Sequence, residues 1–278
     1  MTHEVGIRMG FFFGILAVMA VWEISAPRRS LTTSKKIRWF SNLWIIFLNT
    51  VMVSLISLIG ASTAPIGMAL LAQERGWGLL NNWALPEWLA VVLGVVALDF
   101  IIYFQHVLFH SVPALWRLHS MHHVDLDLDV TTGLRFHPIE IILSLGIKLG
   151  AVAVLGPPML AVLIFEVLLN GTSMFNHGNV LIHSGVERLL RLIVVTPDMH
   201  RVHHSVNPKE TNSNFGFNLP WWDRLLGTYR AQPTGGHEDM TIGLNKFRDS
   251  GQLTLLWLFA WPFIRNPGGY PMNRRGGN

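Results

Sequence analysis

Long apolar runs separated by short polar connections set the pattern of this chain. Residues 5–26, 39–61 and 86–109 carry few charges, and each is long enough to cross a hydrocarbon core of about 30 Å as a helix. A fourth apolar block, 139–170, is broken at Gly156-Pro157-Pro158. Paired prolines remove backbone donors and clash with the preceding turn, so this block is predicted to be a helical hairpin that enters and leaves on one side. Residues 253–264, rich in Trp, Phe and Leu, are short for a span and predict an interfacial helix. The first run has only a weak cleavage-like stretch, at Glu23-Ile-Ser-Ala, and is read as a retained helix. Residues 272–278 are expected to be a frayed tail.

Composition sharpens this picture. Half of the 278 residues are hydrophobic and only 14% are charged, whereas a soluble domain averages about a quarter charged. Cysteine is absent, which excludes disulfides, thiolate-ligated haem, iron–sulfur clusters and cysteine nucleophiles. The net charge of +4 is modest, and the basic residues read as topology signals, with no nucleic-acid footprint. Arg28, Arg29, Lys35, Lys36 and Arg38 crowd the first loop, against Arg75 alone in the second. The positive-inside rule places the first loop in the cytoplasm. The third span then ends on that side, and the hairpin keeps 110–138 and 171–278 there.

The thirteen histidines carry the chemistry. Eleven fall within residues 106–204. His119, His122 and His123 repeat the spacing of His200, His203 and His204, and His106 and His110 stand four apart at the end of the third span. On a helix, positions i, i+3 and i+4 share one face, so each triplet is expected to aim three imidazoles at one small volume. Eight imidazoles exceed the four ligands of one tetrahedral zinc and suit two metal ions. Imidazole alone leaves zinc, manganese, copper and iron open. Two further histidines, His137 and His177, stand at the two feet of the hairpin. His183 is a weaker candidate, and His3 and His237 are set aside. Carboxylates available to orient imidazoles are Asp99, Asp125, Glu140, Glu166, Asp198 and Asp223.

These boxes, His106-x-x-x-His110, His119-x-x-His122-His123 and His200-x-x-His203-His204 set among apolar helices, resemble the fatty acid hydroxylase superfamily of sterol desaturases and lipid hydroxylases. The likeness covers about residues 90–230. It extends to His137-Pro-Ile-Glu140, to Thr196-Pro-Asp-Met-His200, and to Asn214-Phe-Gly with Trp222-Asp-Arg-Leu-Leu-Gly-Thr228. The resemblance implies an O₂-dependent centre of two iron ions, with the eight box histidines plus His137 and His177 as ligands. That centre would hydroxylate or desaturate a lipid C–H bond. No flavin or nicotinamide fingerprint is present, since Gly76-Trp-Gly78 lacks the third glycine. Electrons would therefore come from a ferredoxin-, rubredoxin- or cytochrome b5-like donor and its reductase. A metal-dependent hydrolase would need a motif such as His-Glu-x-x-His, absent here. A haem carrier would pair histidines across spans, and a transporter would carry ionisable groups mid-membrane.

The expected fold is thus an all-α integral membrane protein, with three transmembrane helices, a helical hairpin and a cytoplasmic helical cap holding a histidine-rich dimetal site. The expected organisation is membrane helices over 1–85, a catalytic region over 86–230, and an interfacial helix and tail over 231–278. A multi-pass location, the inner membrane in a bacterium, follows.

Overall fold

Residues 2–264, 266, 268–270 and 272 are described by a computed structural model, and all their regular elements are helical. In order these are α1 (Thr2–Ser25), α2 (Lys35–Ser57), α3 (Pro65–Arg75), α4 (Glu87–Ser111), α5 (Pro113–His123), α6 (Pro138–Leu155), α7 (Met159–Asn176), α8 (Ser184–Leu190), α9 (Pro197–His203), α10 (Pro208–Thr211), α11 (Trp221–Leu225), α12 (Gly236–Asp239) and α13 (Leu255–Ile264). Five of them, α1, α2, α4, α6 and α7, are long and apolar enough to cross a membrane. They correspond to the three expected spans and the two arms of the hairpin. Apart from Met272, the expected frayed tail lies outside the described residues.

Proline starts and glycine stops set several boundaries. Pro65, Pro113, Pro138, Pro197 and Pro208 stand at the first turns of their helices, where a missing amide costs nothing. Gly156 closes α6 with φ 60°, a left-handed cap that favours glycine. A Cβ at Gly78 would fall 2.2 Å from the Gly156 nitrogen, so the hairpin tip and the 76–80 turn cross at backbone contact. The amides of Leu79 and Leu80 donate to the carbonyls of Val154 and Leu155 at 3.1 and 2.8 Å. Of the glycines in Gly76-Trp-Gly78, the first thus caps α3 in the left-handed conformation and the second serves chain packing, at the end of the bundle away from the histidines.

The second connection is not the plain loop that the sequence predicts. It contains α3, whose Ile66, Ala69 and Ala72 are buried and which packs on α6 and α7. α7 also runs six residues past the expected end, to Asn176, because its polar last turns lie against protein. Its Ser173 hydroxyl donates to the Gly133 carbonyl at 2.8 Å and its Asn176 amide to the Phe217 carbonyl at 3.1 Å. α13 packs on α5 and α2, burying Trp261, whose indole donates to Ser120 Oγ at 2.8 Å.

The basic first loop does more than mark topology. Arg38 is fully buried and bonds to Asp125 at 2.7 Å and Asp129 at 2.6 Å. Arg28 pairs with Asp198 and Glu238, and Arg29 donates to the His237 carbonyl at 2.9 Å. These ties fasten the start of α2 and the loop before it to the segments that carry the histidines. The first loop and the histidine boxes therefore share one end of the helical bundle.

Candidate metal centre

Nine histidines gather in two adjoining groups. His106, His110, His119, His123 and His203 form one, and His122, His177, His200 and His204 the other. Within each group the candidate ligand atoms lie within 4.8 Å of one another. All nine rings are buried. α4 supplies His106 and His110, α5 supplies His119, His122 and His123, and α9 supplies His200 and His203. His177 and His204 are the residues that follow α7 and α9.

Each box is divided between the groups, contrary to the expectation that a triplet serves one volume. From the first box, His119 and His123 enter the five-membered group and His122 the four-membered one. From the second box, His200 and His204 enter the four-membered group and His203 the five-membered one. At about 100° per residue, i+4 projects about 40° to one side of i and i+3 about 60° to the other. The two last histidines of a box therefore diverge, and two boxes meeting face to face make two sites.

The outer ring nitrogens fix which nitrogen faces inward. Nδ1 of His106 donates to the Phe215 carbonyl at 2.7 Å, that of His122 to Arg135 at 3.1 Å, that of His177 to Ser173 at 2.7 Å and that of His203 to Ser213 at 2.7 Å. Nδ1 of His110 meets Asn212 Oδ1 at 3.1 Å, and Nδ1 of His119 meets a carboxylate oxygen of Glu140 at 2.7 Å. A carbonyl only accepts, so the proton sits on Nδ1 and Nε2 is left bare. Bare Nε2 atoms then face each other, His106 to His119 at 3.1 Å and His122 to His177 at 3.0 Å. Two lone pairs at that range repel unless a cation lies among them. Nitrogens bound cis to one cation at about 2.1 Å sit about 3 Å apart. The inner nitrogens of His110, His123, His203 and His204 have no hydrogen-bond partner. Unpaired buried polar atoms are costly, and their convergence here fits a metal-binding cavity.

The protonation state agrees. Burial lowers His119 to about 3, and burial chiefly lowers His177 to about 4. Burial, then neighbouring imidazoles, hold His122, His123, His200, His203 and His204 well below the ordinary histidine value. Neutral imidazole is the form that binds metal.

His137 is not brought into either group. Its Nδ1 accepts the Ile139 amide at 3.2 Å as the N-cap of α6, and its Nε2 donates to the Phe259 carbonyl at 3.2 Å. With both nitrogens engaged it has no lone pair to offer. His183 is exposed and caps α8 in the same way. His237 is buried beside Asp198 at 3.6 Å. Among the candidate carboxylates Glu140 alone reaches a clustered histidine. Asp99 binds Trp222 and the Leu219 amide, Asp125 binds Arg38 and Arg135, and Glu166 binds Lys148. Asp198 binds Arg28 and Arg201, and Asp223 caps the Phe215 and Gly216 amides. The supporting carbonyls carry no side-chain signature, so residue types could not reveal them. Asn212, unlike Glu140, is a supporting side chain that sequence reasoning missed although its residue type could have suggested it.

Beneath His122 lies a buried ion network. Burial pushes Asp125 up, but Arg135 and Arg38 outweigh it and hold the carboxyl well below the usual range. Arg135 supplies the carbonyl that His122 bonds, and Phe136 stacks on the His122 ring at 4.6 Å.

Apolar helices that end in two abutting imidazole groups, each able to hold a metal ion, define a histidine-rich, membrane-type helical protein. The chain belongs to the fatty acid hydroxylase family, whose profile matches residues 91–228. It is 31% identical to an ornithine lipid hydroxylase of Rhizobium tropici over 257 residues, 91% of this chain and 75% of that protein. It is also 31% identical to the alkylglycerol monooxygenase of Homo sapiens and 30% identical to that of Xenopus tropicalis. Those matches cover 64% and 65% of this chain, but only 40% and 42% of the monooxygenases. No solved structure matches.

Proposed function

We propose that this protein is a membrane-embedded, two-iron, O₂-dependent lipid hydroxylase. Family membership and its relatives support an oxidoreductase acting on lipids. The observation that carries the metal assignment is the set of bare, converging inner nitrogens, five in one group and four in the other. Iron rather than zinc follows from the oxygen-inserting chemistry named in the relatives. When bound, iron at these positions supplies O₂ activation, with one oxygen atom entering a lipid C–H bond and the other leaving as water with two electrons and two protons from outside.

The chain's own residues do the rest. Outer carbonyls, Asn212 and Glu140 hold the imidazoles neutral and oriented. Phe217 touches His106 of one group and His200 of the other, and it also packs with Leu98, Ile102 and Phe165 of the apolar core. That core is the route by which an acyl chain reaches the groups. The buried rings keep bulk water out. The electron donor is a separate ferredoxin-, rubredoxin- or cytochrome b5-like protein with its reductase. The basic first loop, tied to the histidine end of the bundle, supports a cytoplasmic centre and five crossings. Single cysteines at Lys209 and Glu74 test that orientation. Lys209→Cys is expected to label only after permeabilisation and Glu74→Cys from outside, and the reverse result removes it.

Ornithine lipid is the first substrate to try. The deciding experiment compares lipids of membranes with and without the protein by mass spectrometry. A product sixteen mass units heavier is expected. Unchanged lipids under aerobic conditions with a competent donor overturn the reading, and a product two units lighter replaces hydroxylation with desaturation.

A further inference from the structure

The segment 214–228, between α10 and α12, lies alongside α4 in an unusual way. Three residues on one face of α4 hold it at i, i+4 and i+7. Asp99 accepts from Trp222 Nε1 at 2.7 Å and the Leu219 amide at 3.3 Å, Tyr103 bonds Thr228 Oγ1 at 2.8 Å, and His106 donates to the Phe215 carbonyl at 2.7 Å. Asp99 is twelve residues from Glu87 and twelve from Ser111, the two ends of α4. At 1.5 Å per residue it stands about 18 Å from either end. These contacts run from mid-helix at Asp99 toward the histidine end at His106, so the segment lies beside the half of α4 that belongs to the histidine-side leaflet, with Asp99 marking its deepest point.

The loop is rigid. Its ends close through the Asn214 amide on the Thr228 carbonyl at 2.9 Å, and the buried Asp223 carboxylate takes the Phe215 and Gly216 amides at 2.8 Å and the Thr228 hydroxyl at 2.7 Å. Its polar groups are turned inward. Apart from Arg224, what it turns outward is apolar, with Leu225 74% exposed and Leu226 and Trp221 also open. The neighbouring turn after α8 continues the same face. Trp221 Nε1 donates to the Leu192 carbonyl at 2.7 Å and Arg224 to the Arg191 carbonyl at 3.1 Å. There Leu189 is 67%, Ile193 60% and Leu192 57% exposed. A contiguous apolar patch of this kind needs a partner. The exposed charges within it are Arg188 and Arg224, both cationic. The acidic residues beside them are occupied, Glu187 by Arg191 and Asp223 by the loop itself. Ile24 of α1 and Phe104 of α4 are exposed as well, and Phe100 of α4 packs on Trp222 of the loop at 4.9 Å.

We infer that the α8 turn and the 214–228 loop form an in-plane membrane-insertion face that seats the histidine centre in one anionic leaflet. Leu189, Leu192, Ile193, Trp221, Leu225 and Leu226 enter the acyl region, while Arg188 and Arg224 meet lipid phosphates. The inference rests on α4 crossing the membrane and is independent of which lipid is oxidised.

The cysteine-free chain makes the test direct. The full-length protein is reconstituted in bilayers containing phosphatidylglycerol, with a nitroxide on a single cysteine at Leu189, Leu225, Phe104 or Lys209. Collision with O₂, which concentrates in lipid, is compared with collision with a water-soluble nickel chelate. Leu189→Cys and Leu225→Cys are expected to behave like Phe104→Cys, with chelate access several-fold below that of Lys209→Cys. If Phe104→Cys reads as lipid while Leu225→Cys and Leu189→Cys read as water, the insertion face is overturned, α4 remains a span, and a protein partner must cover the patch. If Phe104→Cys also reads as water, the spanning assignment fails first and the inference with it. Replacing phosphatidylglycerol by phosphatidylcholine should make the Leu189 site shallower, and Arg188→Glu with Arg224→Glu should abolish that lipid dependence. A depth indifferent to lipid charge overturns the role given to the two arginines.

Discussion

The five-imidazole and four-imidazole groups share the same two boxes, joined by His106 and His110 in one and by His177 in the other, and are equally buried, yet different chemistry stands behind them. In the larger group, His119 leans on the Glu140 carboxylate, His110 on Asn212, and His106 and His203 on carbonyls. In the smaller group, His122 and His177 have carbonyl partners, whereas Nδ1 of His200 and both nitrogens of His204 have none. A carboxylate behind an imidazole raises its basicity and fixes its tautomer more strongly than a carbonyl does. A cation in the larger group would thus meet more imidazoles, one of them backed by a carboxylate. The smaller has the fewer ligands and more room for a further one.

Removing one ligand from each group is the harshest way to break the comparison. His203→Ala leaves four imidazoles and His204→Ala leaves three. Both are expected to lower turnover by more than about 100-fold, the upper range for loss of a mere supporting contact. Metal analysis should show His204→Ala losing close to one metal per chain and His203→Ala losing less. Equal losses would erase the distinction.

Acid comes next in size. Unfolded histidines take up protons below about 6.5, whereas folded His177 waits until about 4 and His119 until about 3. Between those values the unfolded chain binds more protons, so stability falls as pH falls. Each such histidine costs the metal-free protein about 1.4 kcal/mol per pH unit across that window. Thermal melts of metal-free protein at pH 7 and pH 5 should show a marked loss at the lower pH, and unchanged melting would contradict the buried neutral state.

Arg38→Met strikes the foundation of the smaller group. It strands Asp129, leaves Asp125 to Arg135 alone, and should cost roughly 3–5 kcal/mol, as losing one partner of a buried pair does. Because Asp125 also holds Arg135, whose carbonyl orients His122, metal should leave the smaller group first. Glu140→Gln addresses the larger group alone, with metal affinity there down roughly 10–100-fold and the other group unaffected. His137→Ala should remove a helix cap at a cost of about 1 kcal/mol and leave metal content unchanged. Loss of a metal in that variant would return His137 to the ligand set.

Much of this centre was legible in spacing. Repeated His-x-x-His-His in an otherwise apolar chain announces clustered imidazoles, and the Gly-Pro-Pro break marked the hairpin that brings His177 back to them. The division of each box between two groups was not legible, because it depends on two helices meeting face to face. His137 has the sequence context of a ligand, yet it stands outside both groups and its Nδ1 accepts the Ile139 amide, a placement that spacing does not reveal. α3 escaped because its eleven residues fall short of a span and its apolar face shows only against α6 and α7. Arg38 read as a topology charge, since a buried ion network joins residues about ninety positions apart.

Metal stoichiometry tests the central claim most directly. Full-length protein purified without oxygen and analysed for metals should carry two irons per chain. One metal per chain, or none in protein that still melts cooperatively, would contradict two adjoining sites built from nine imidazoles.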